Sequence, residues 1–136
     1  GTIVGGCGSL ERIIVAENNS KYDSRNNCNA IIETATNSLI QGCKNTSIPN
    51  SVTSIGACAF YASHTLTKLY IPASVISISA DEYSEVIPFI ASSSSLQLYC
   101  EASSKPDGWG EYWNYAGKDR ILTTHWGITR AEFDTL

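Results

Sequence analysis

The chain has 136 residues, 43% hydrophobic and 16% charged, with a formal net charge of −4. That length suits one domain (residues 1–136), and the composition is that of a globular chain, not a disordered one. The acidic balance gives no electrostatic reason to expect nucleic acid or an anionic membrane as partner, and no apolar run reaches the roughly eighteen residues that a spanning helix needs.

In chain order, residues 10–15 read as a first strand, with Leu10, Ile13 and Val15 inward and Arg12 and Ile14 outward. Residues 18–29 are dominated by Asn, Asp, Ser and Lys, which favour turns, and read as a loop. Residues 30–33 and 38–41 flank Thr34, Ala35, Thr36 and Asn37 in the pattern of a β-hairpin occupying about residues 28–43. Residues 46–48 read as a second strand and residues 69–71 as a third, with Val52 and Ile55 between them on the opposite side. Residues 57–61 read as a helical turn whose Ala59 and Phe60 fill the space between layers. Ser79 and Glu82 fit a capping box for a short helix over 82–87 that stops before Pro88. Residues 98–100 supply a fourth strand, Lys105-Pro106-Asp107-Gly108 a turn, residues 121–124 a final strand, and Thr129 with Glu132 a second capping box. Trp109, Tyr112, Trp113, Tyr115 and Trp126 crowd this last third and read as a C-terminal cap over 101–136, since large aromatics cover an exposed layer while keeping a polar tip wet.

One phrase is written twice. Ile48-Pro49, Val52 and Ile55 recur as Ile71-Pro72, Val75 and Ile78, each 23 residues later, and Leu10, Ile13 and Val15 share the spacing of Leu66, Leu69 and Ile71. A fixed period in the twenties marks a solenoid whose repeats bury their apolar faces only by stacking. The expected fold is therefore a β-rich α/β repeat: a short, irregular leucine-rich-repeat solenoid over residues 10–100, with an inserted β-hairpin and an aromatic C-terminal cap. Such a solenoid could also stack end to end with further repeats.

The wording IPNSVTSIGACAFYASHTL resembles the BspA-like (type 5) leucine-rich repeats of bacterial cell-surface and secreted proteins, whose usual form is close to I-P-x-S-V-T-S-I-G-x-x-A-F-x-x-C-x-x-L. YDSRNNCNAIIETATNSLIQGCKN and YCEASSKPDGWGEYWN also look like segments common in gut-bacterial members. The resemblance spans roughly residues 7–115. It departs at Ala62-Ser63, where Gly-Cys is usual, and after Ile78, where an insertion spoils the second A-F motif. It implies that residues 1–9 are the tail of a truncated repeat, with Gly6-Cys7 in the Gly-Cys slot. It also implies an extracellular or cell-surface location, with the signal peptide outside this chain, and relatives that serve in adhesion and protein–protein recognition.

Five cysteines leave at least one thiol unpaired in a monomer. Cys43 and Cys100 fall in inward strand slots, where cysteine acts as a small hydrophobe. Cys28 and Cys43 would face each other across the hairpin, so a disulfide there stands beside the alternative of buried free thiols. A nucleophilic pair of Cys58 and His64 is weaker than the packing reading, because Cys58 adjoins Ala59-Phe60. Asp23, Asn26 and Asn27 lack EF-hand spacing and read as a solvated loop, and zinc and nucleotide motifs are missing. No catalytic residue, metal or cofactor is expected.

The positive signal lies on the strand face. Aligning the four strands puts Ile14, Ser47, Tyr70 and Tyr99 in one outward row and Arg12, Asn45, Lys68 and Gln97 in the next, with neighbours ~4.8 Å apart. Arg12, Ile14, Lys68, Tyr70, Gln97 and Tyr99 are therefore expected to bind a protein partner on a host or neighbouring cell, because tyrosine gives large contact area at low entropic cost. The plainer reading is that paired tyrosines steady the sheet by ~0.2–1 kcal/mol each. Two alternatives are a glycan-stacking platform of Trp109, Trp113 and Trp126, and a structural spacer that binds nothing.

Overall fold

The computed structural model describes residues 11–136. The expected repeat tail over residues 1–9 and Leu10 of the first expected strand lie outside the described residues. The elements in chain order are β1 (Tyr22–Asp23), a 3-10 turn (Arg25–Asn27), β2 (Ile31–Glu33), β3 (Ser38–Gln41), β4 (Ser54–Ile55), β5 (Lys68–Ile71), β6 (Ser77–Ile78), β7 (Gln97–Cys100), β8 (Tyr115–Gly117), β9 (Arg120–Ile121), β10 (Thr123–His125) and one helix, α1 (Arg130–Asp134).

β1, β2 and β3 pair antiparallel, and β3, β4 and β6 continue in parallel, giving a five-stranded mixed sheet in the order β1-β2-β3-β4-β6. The turn between β2 and β3 closes through the Asn37 N–H, which donates to the Glu33 carbonyl at 2.9 Å, with Asn37 at φ 56°. Asparagine tolerates that left-handed conformation better than most residues. The 23-residue offset of the repeated phrase reappears as register, because Ser54 pairs with Ser77 and Ile55 with Ile78. Gly108 and Gly110 extend this edge, the Ile78 N–H donating to Gly108 and the Gly110 N–H to Ile78. The second sheet is wholly parallel, in the order β10-β7-β5, while β8 and β9 form a separate antiparallel pair. Ile55, Leu69, Ile71, Val75, Ile78 and Leu98 are buried together in the core.

A leucine-rich-repeat solenoid is not what forms: the described residues make a small β-rich domain of mixed and parallel sheets, with one short helix and no solenoid closure among them. Only two of the four expected strands stand side by side, as β5 and β7, and β10 supplies their third partner. Residues 46–48 are not a strand because their polar groups are engaged elsewhere. The Thr46 N–H bonds to the Cys43 carbonyl, Thr46 Oγ1 to the Asn29 carbonyl and the Ser47 N–H to the Cys28 carbonyl. Residues 11–15 are likewise held off the ladder, with the Val15 N–H on Ser24 Oγ and Asn45 Nδ2 on the Glu11 carbonyl. The antiparallel β2–β3 pair falls within residues 28–43, yet it is no insertion into a repeat, because β3 is itself the centre of the mixed sheet.

The helical turns expected over 57–61 and 82–87 are replaced by stacked irregular turns. The N–H groups of Cys58, Phe60 and Ala62 donate across to the carbonyls of Val86, Pro88 and Ile90 at 2.9–3.0 Å, so they are not spent on a helix of their own. Phe60 and Phe89 stack between these turns, with ring centroids 5.3 Å apart and planes within 11°. Cys58, Ala62 and Ala91 hold φ of 56°, 55° and 62° in this row. A side chain in that region costs ~1–2 kcal/mol, which glycine avoids at a smaller entropic penalty. Ala62→Gly is therefore expected to stabilise the domain by about 0.5–1 kcal/mol, raising Tm by roughly 2–4 °C; thermal unfolding with no rise, or a fall, would count against the strain.

Asp23 anchors the asparagine-rich loop. Its two oxygens receive Arg25 Nε and Nη2, each at 2.7 Å, and Thr34 Oγ1 also donates to it. Arg25 reaches on to Asn37 Oδ1 at 2.6 Å. With both oxygens committed to a guanidinium, the carboxylate is a structural tie and not an open cation ligand. The bonds from Arg25 hold its pKa down at about 2. A depressed carboxylate pKa adds stability above the unfolded value of about 3.9, and that stability is lost as pH falls through about 2. Asp23→Asn is expected to lower stability at pH 7 and to flatten the acid limb between about pH 4 and 2, as read by urea unfolding across pH.

Among the described residues Cys28, Cys43, Cys58 and Cys100 are free thiols, which settles the Cys28–Cys43 alternative for unbridged cysteines. Burial pushes the Cys100 thiol up to about 12, so it stays protonated and inert near neutrality.

Candidate functional site

Parallel pairing of β5, β7 and β10 sets side chains of equal register next to each other. Tyr70 pairs with Tyr99 and Tyr99 with His125, while Lys68 pairs with Gln97 and Gln97 with Thr123. The first row is an aromatic ladder. The His125 ring lies on Tyr99 with centroids 4.5 Å apart and planes within 12°, and its Nε2 is 2.9 Å from Gln97 Oε1. The second row gives the ladder a polar rim. Four of the six expected face residues, Lys68, Tyr70, Gln97 and Tyr99, are thus brought together.

Arg12 and Ile14 are not. Ile14 is 69% exposed, and both line a separate hollow of about 350 Å³ beside Ser24, Asn27 and Asn29. They leave the row because residues 11–15 never join the parallel sheet.

The tyrosine face is also not open: the chain's own residues 128–136 lie across it. Phe133 of α1 packs against both Tyr70 and Tyr99, with centroids at 5.3 and 5.5 Å. Arg130, three residues earlier and so on the same side of the helical turn, sits 4.5 Å over the Tyr70 ring. Its guanidinium donates to the Ile48 carbonyl at 2.7 Å and to Ser47 Oγ at 3.3 Å. The Tyr70 hydroxyl donates to the Ile128 carbonyl at 2.7 Å, and burial pushes that hydroxyl's pKa up, with Glu101 adding to the effect, so it remains a donor. Lys68 Nζ reaches the Leu136 carbonyl at 2.8 Å and lies 5.0 Å from the Phe133 ring centre. Tyr70 is left 2% exposed.

This strap is formed locally by the capping box read from the sequence. Thr129 Oγ1 accepts the Glu132 N–H, and the Glu132 carboxylate accepts the Thr129 N–H. No residue of α1 is buried. With none of its helical side chains buried, the strap sits at the low-stability end of the structure. Sequence reasoning missed His125 as part of this face, and Arg130 and Phe133 as the residues that cover it. The capping box foretold the helical turn, but nothing in the sequence says where such a turn docks.

The three tryptophans do not present a sugar platform. Trp109 and Trp113 are 1% and 2% exposed and pack on each other, with centroids 4.7 Å apart, while Trp126 closes the cluster. Trp109 Nε1 is spent on the Val75 carbonyl at 2.9 Å. Stacking onto a pyranose needs open indole faces; those of Trp109 and Trp113 are core, and Trp126, partly buried against them, is left without a second exposed ring to form a platform. Cys58, half-buried and outside the core, points its sulfur to the Glu85 carbonyl at 3.9 Å.

Comparison of the chain with protein-family models, curated proteins and solved structures finds no match. Among the described residues no helix is long and apolar enough to cross a membrane.

Proposed function

We propose that the chain is a non-catalytic recognition module of the cell surface or extracellular space, which binds a protein partner through the face built from Lys68, Tyr70, Gln97, Tyr99 and His125. One observation carries this reading: the face already holds a peptide segment, seating Phe133 between two tyrosines and Arg130 over one of them. Tyrosine-rich surfaces bind well because their rings are large, rigid and amphipathic. The extracellular placement is supported by the resemblance of residues 48–66 to repeats of bacterial surface proteins, and the partner class by the adhesive role of those relatives.

The test is a displayed peptide library panned on the full chain. Enriched peptides are expected to lose about tenfold or more in affinity on the Tyr99→Ala/Lys68→Glu variant, a loss of roughly 1.4 kcal/mol or more. If that variant keeps its circular dichroism and Tm and binds the enriched peptides with undiminished affinity, the face is not the site. Failure of any peptide to enrich on the Arg130→Ala/Phe133→Ala variant, whose face lacks its two covering side chains, would equally retire the reading.

A further inference from the structure

We infer that residues 128–136 act as an internal pseudo-ligand: a strap that masks the aromatic face and displays the chemistry of the peptide it gives way to. This inference rests on the recognition reading above and deepens it by naming the partner's chemistry and the control of access. The occupant is a single helical turn carrying a basic residue and, three positions later, an aromatic residue, with a backbone carbonyl beyond them for Lys68.

Each part of that description comes from what the face does with the strap. The slot between Tyr70 and Tyr99 accepts a flat apolar ring, as Phe133 shows. The Ile48 carbonyl and Ser47 Oγ, at the edge beyond Tyr70, take hydrogen bonds from a guanidinium lying on the tyrosine ring. Lys68 offers the complementary donor at the other end of the strap. These requirements belong to groups of the sheet and its margin, so a peptide from another molecule that meets them competes for the same places.

The strap is also built to leave. The Gly127 N–H and the Ile128 N–H are held by the carbonyls of Ala102 and Cys100, which pins the strap's root to the end of β7. Gly127 holds φ +70°, a conformation that glycine adopts without a side-chain penalty, and so turns the chain from β10 into the strap. Beyond that root, no residue of α1 is buried. A ligand binding only the uncovered state sees its affinity reduced by the fraction of time the strap is away, and weakening the strap removes that penalty.

The experiment compares the full chain with its Arg130→Ala/Phe133→Ala variant, using as probe a labelled synthetic peptide of residues 127–136. The variant is expected to bind the probe about tenfold or more tightly than the wild type does, and a probe carrying Phe133→Ala is expected not to bind. A folded variant with wild-type affinity for the probe overturns the inference. Amide hydrogen exchange on the unmodified chain gives an independent reading that needs no variant: the Phe133 N–H is expected to exchange far faster than amides of β5 and β7. Exchange of the strap only on global unfolding also overturns it. Probe capture by the variant, with no library peptide enriched on either the variant or the wild type, would sustain the strap and retire the recognition reading. Library peptides that depend on Tyr99 but gain nothing on the strap variant would do the opposite.

Discussion

Trp109→Ala is expected to destabilise the domain by about 3–5 kcal/mol, lowering Tm by roughly 10–15 °C. Two losses combine. The indole is 1% exposed and is the largest of the fully buried side chains, wedged against Trp113 and Trp126, so its removal leaves a cavity that two rigid rings cannot collapse into. Its Nε1 also donates to the buried Val75 carbonyl at 2.9 Å, and an abandoned buried acceptor costs ~1–3 kcal/mol. Trp109→Phe, which restores most of the ring but not the donor, is expected to fall between the two. Trp126, only partly buried against the same cluster, should lose less on truncation to alanine. Urea unfolding followed by far-ultraviolet circular dichroism ranks the three variants. A Trp109→Ala protein as stable as a Trp126→Ala protein would show that the cluster does not close the core.

Gly108→Ala and Gly110→Ala form the second large expectation, about 3 kcal/mol or more each, from overpacking against main chain. A methyl on Gly108 would stand 2.0 Å from the Ile76 carbonyl oxygen, and one on Gly110 would stand 2.2 Å from the Ala80 carbonyl carbon. In both cases the obstacle is backbone, which cannot rotate away as a side chain could. Gly127→Ala is the matched control, because nothing lies within 4 Å of its would-be methyl and only its φ of +70° opposes the change. That strain is worth ~1–2 kcal/mol. Equal Tm losses at Gly108 and Gly127 would mean that the edge beside β6 is not packed as closely as the structure has it.

The repeated phrase carried real information about pairing and misled about architecture. Ile55 and Ile78, equivalent in the repeat, lie side by side because a shared pattern of buried and exposed positions selects one register. Tyr70 and Tyr99 likewise meet as their strand spacing suggested. The error came from extending that logic to residues 10–15 and 46–48, whose alternation of apolar positions is as good but whose polar groups are claimed by Ser24, Cys28, Asn29 and Asn45. Local pattern reports what a segment can bury; it does not report which distant carbonyl will take its N–H groups. The same gap explains the turn at 57–61, where N–H bonds to the carbonyls of Val86, Pro88 and Ile90 won over helical ones. Four of the five face residues, Lys68, Tyr70, Gln97 and Tyr99, were legible because they sit on strands whose spacing suggested their register, whereas His125 was missed. Arg130 and Phe133, which cover the face, sit on a turn whose docking is a tertiary event.

Parallel order in the second sheet bears on how the chain is made. Tyr70, Tyr99 and His125 occupy one row, yet 29 and then 26 residues separate them along the chain. Parallel partners need such crossovers, and pairings between distant segments form slowly. During synthesis β5 therefore waits for β7, and β7 for β10, before the sheet can close. Residues 128–136 come after all three. The tyrosines therefore stay uncovered until the strap residues are made, and the segment that shields the face is the last of these four to arrive.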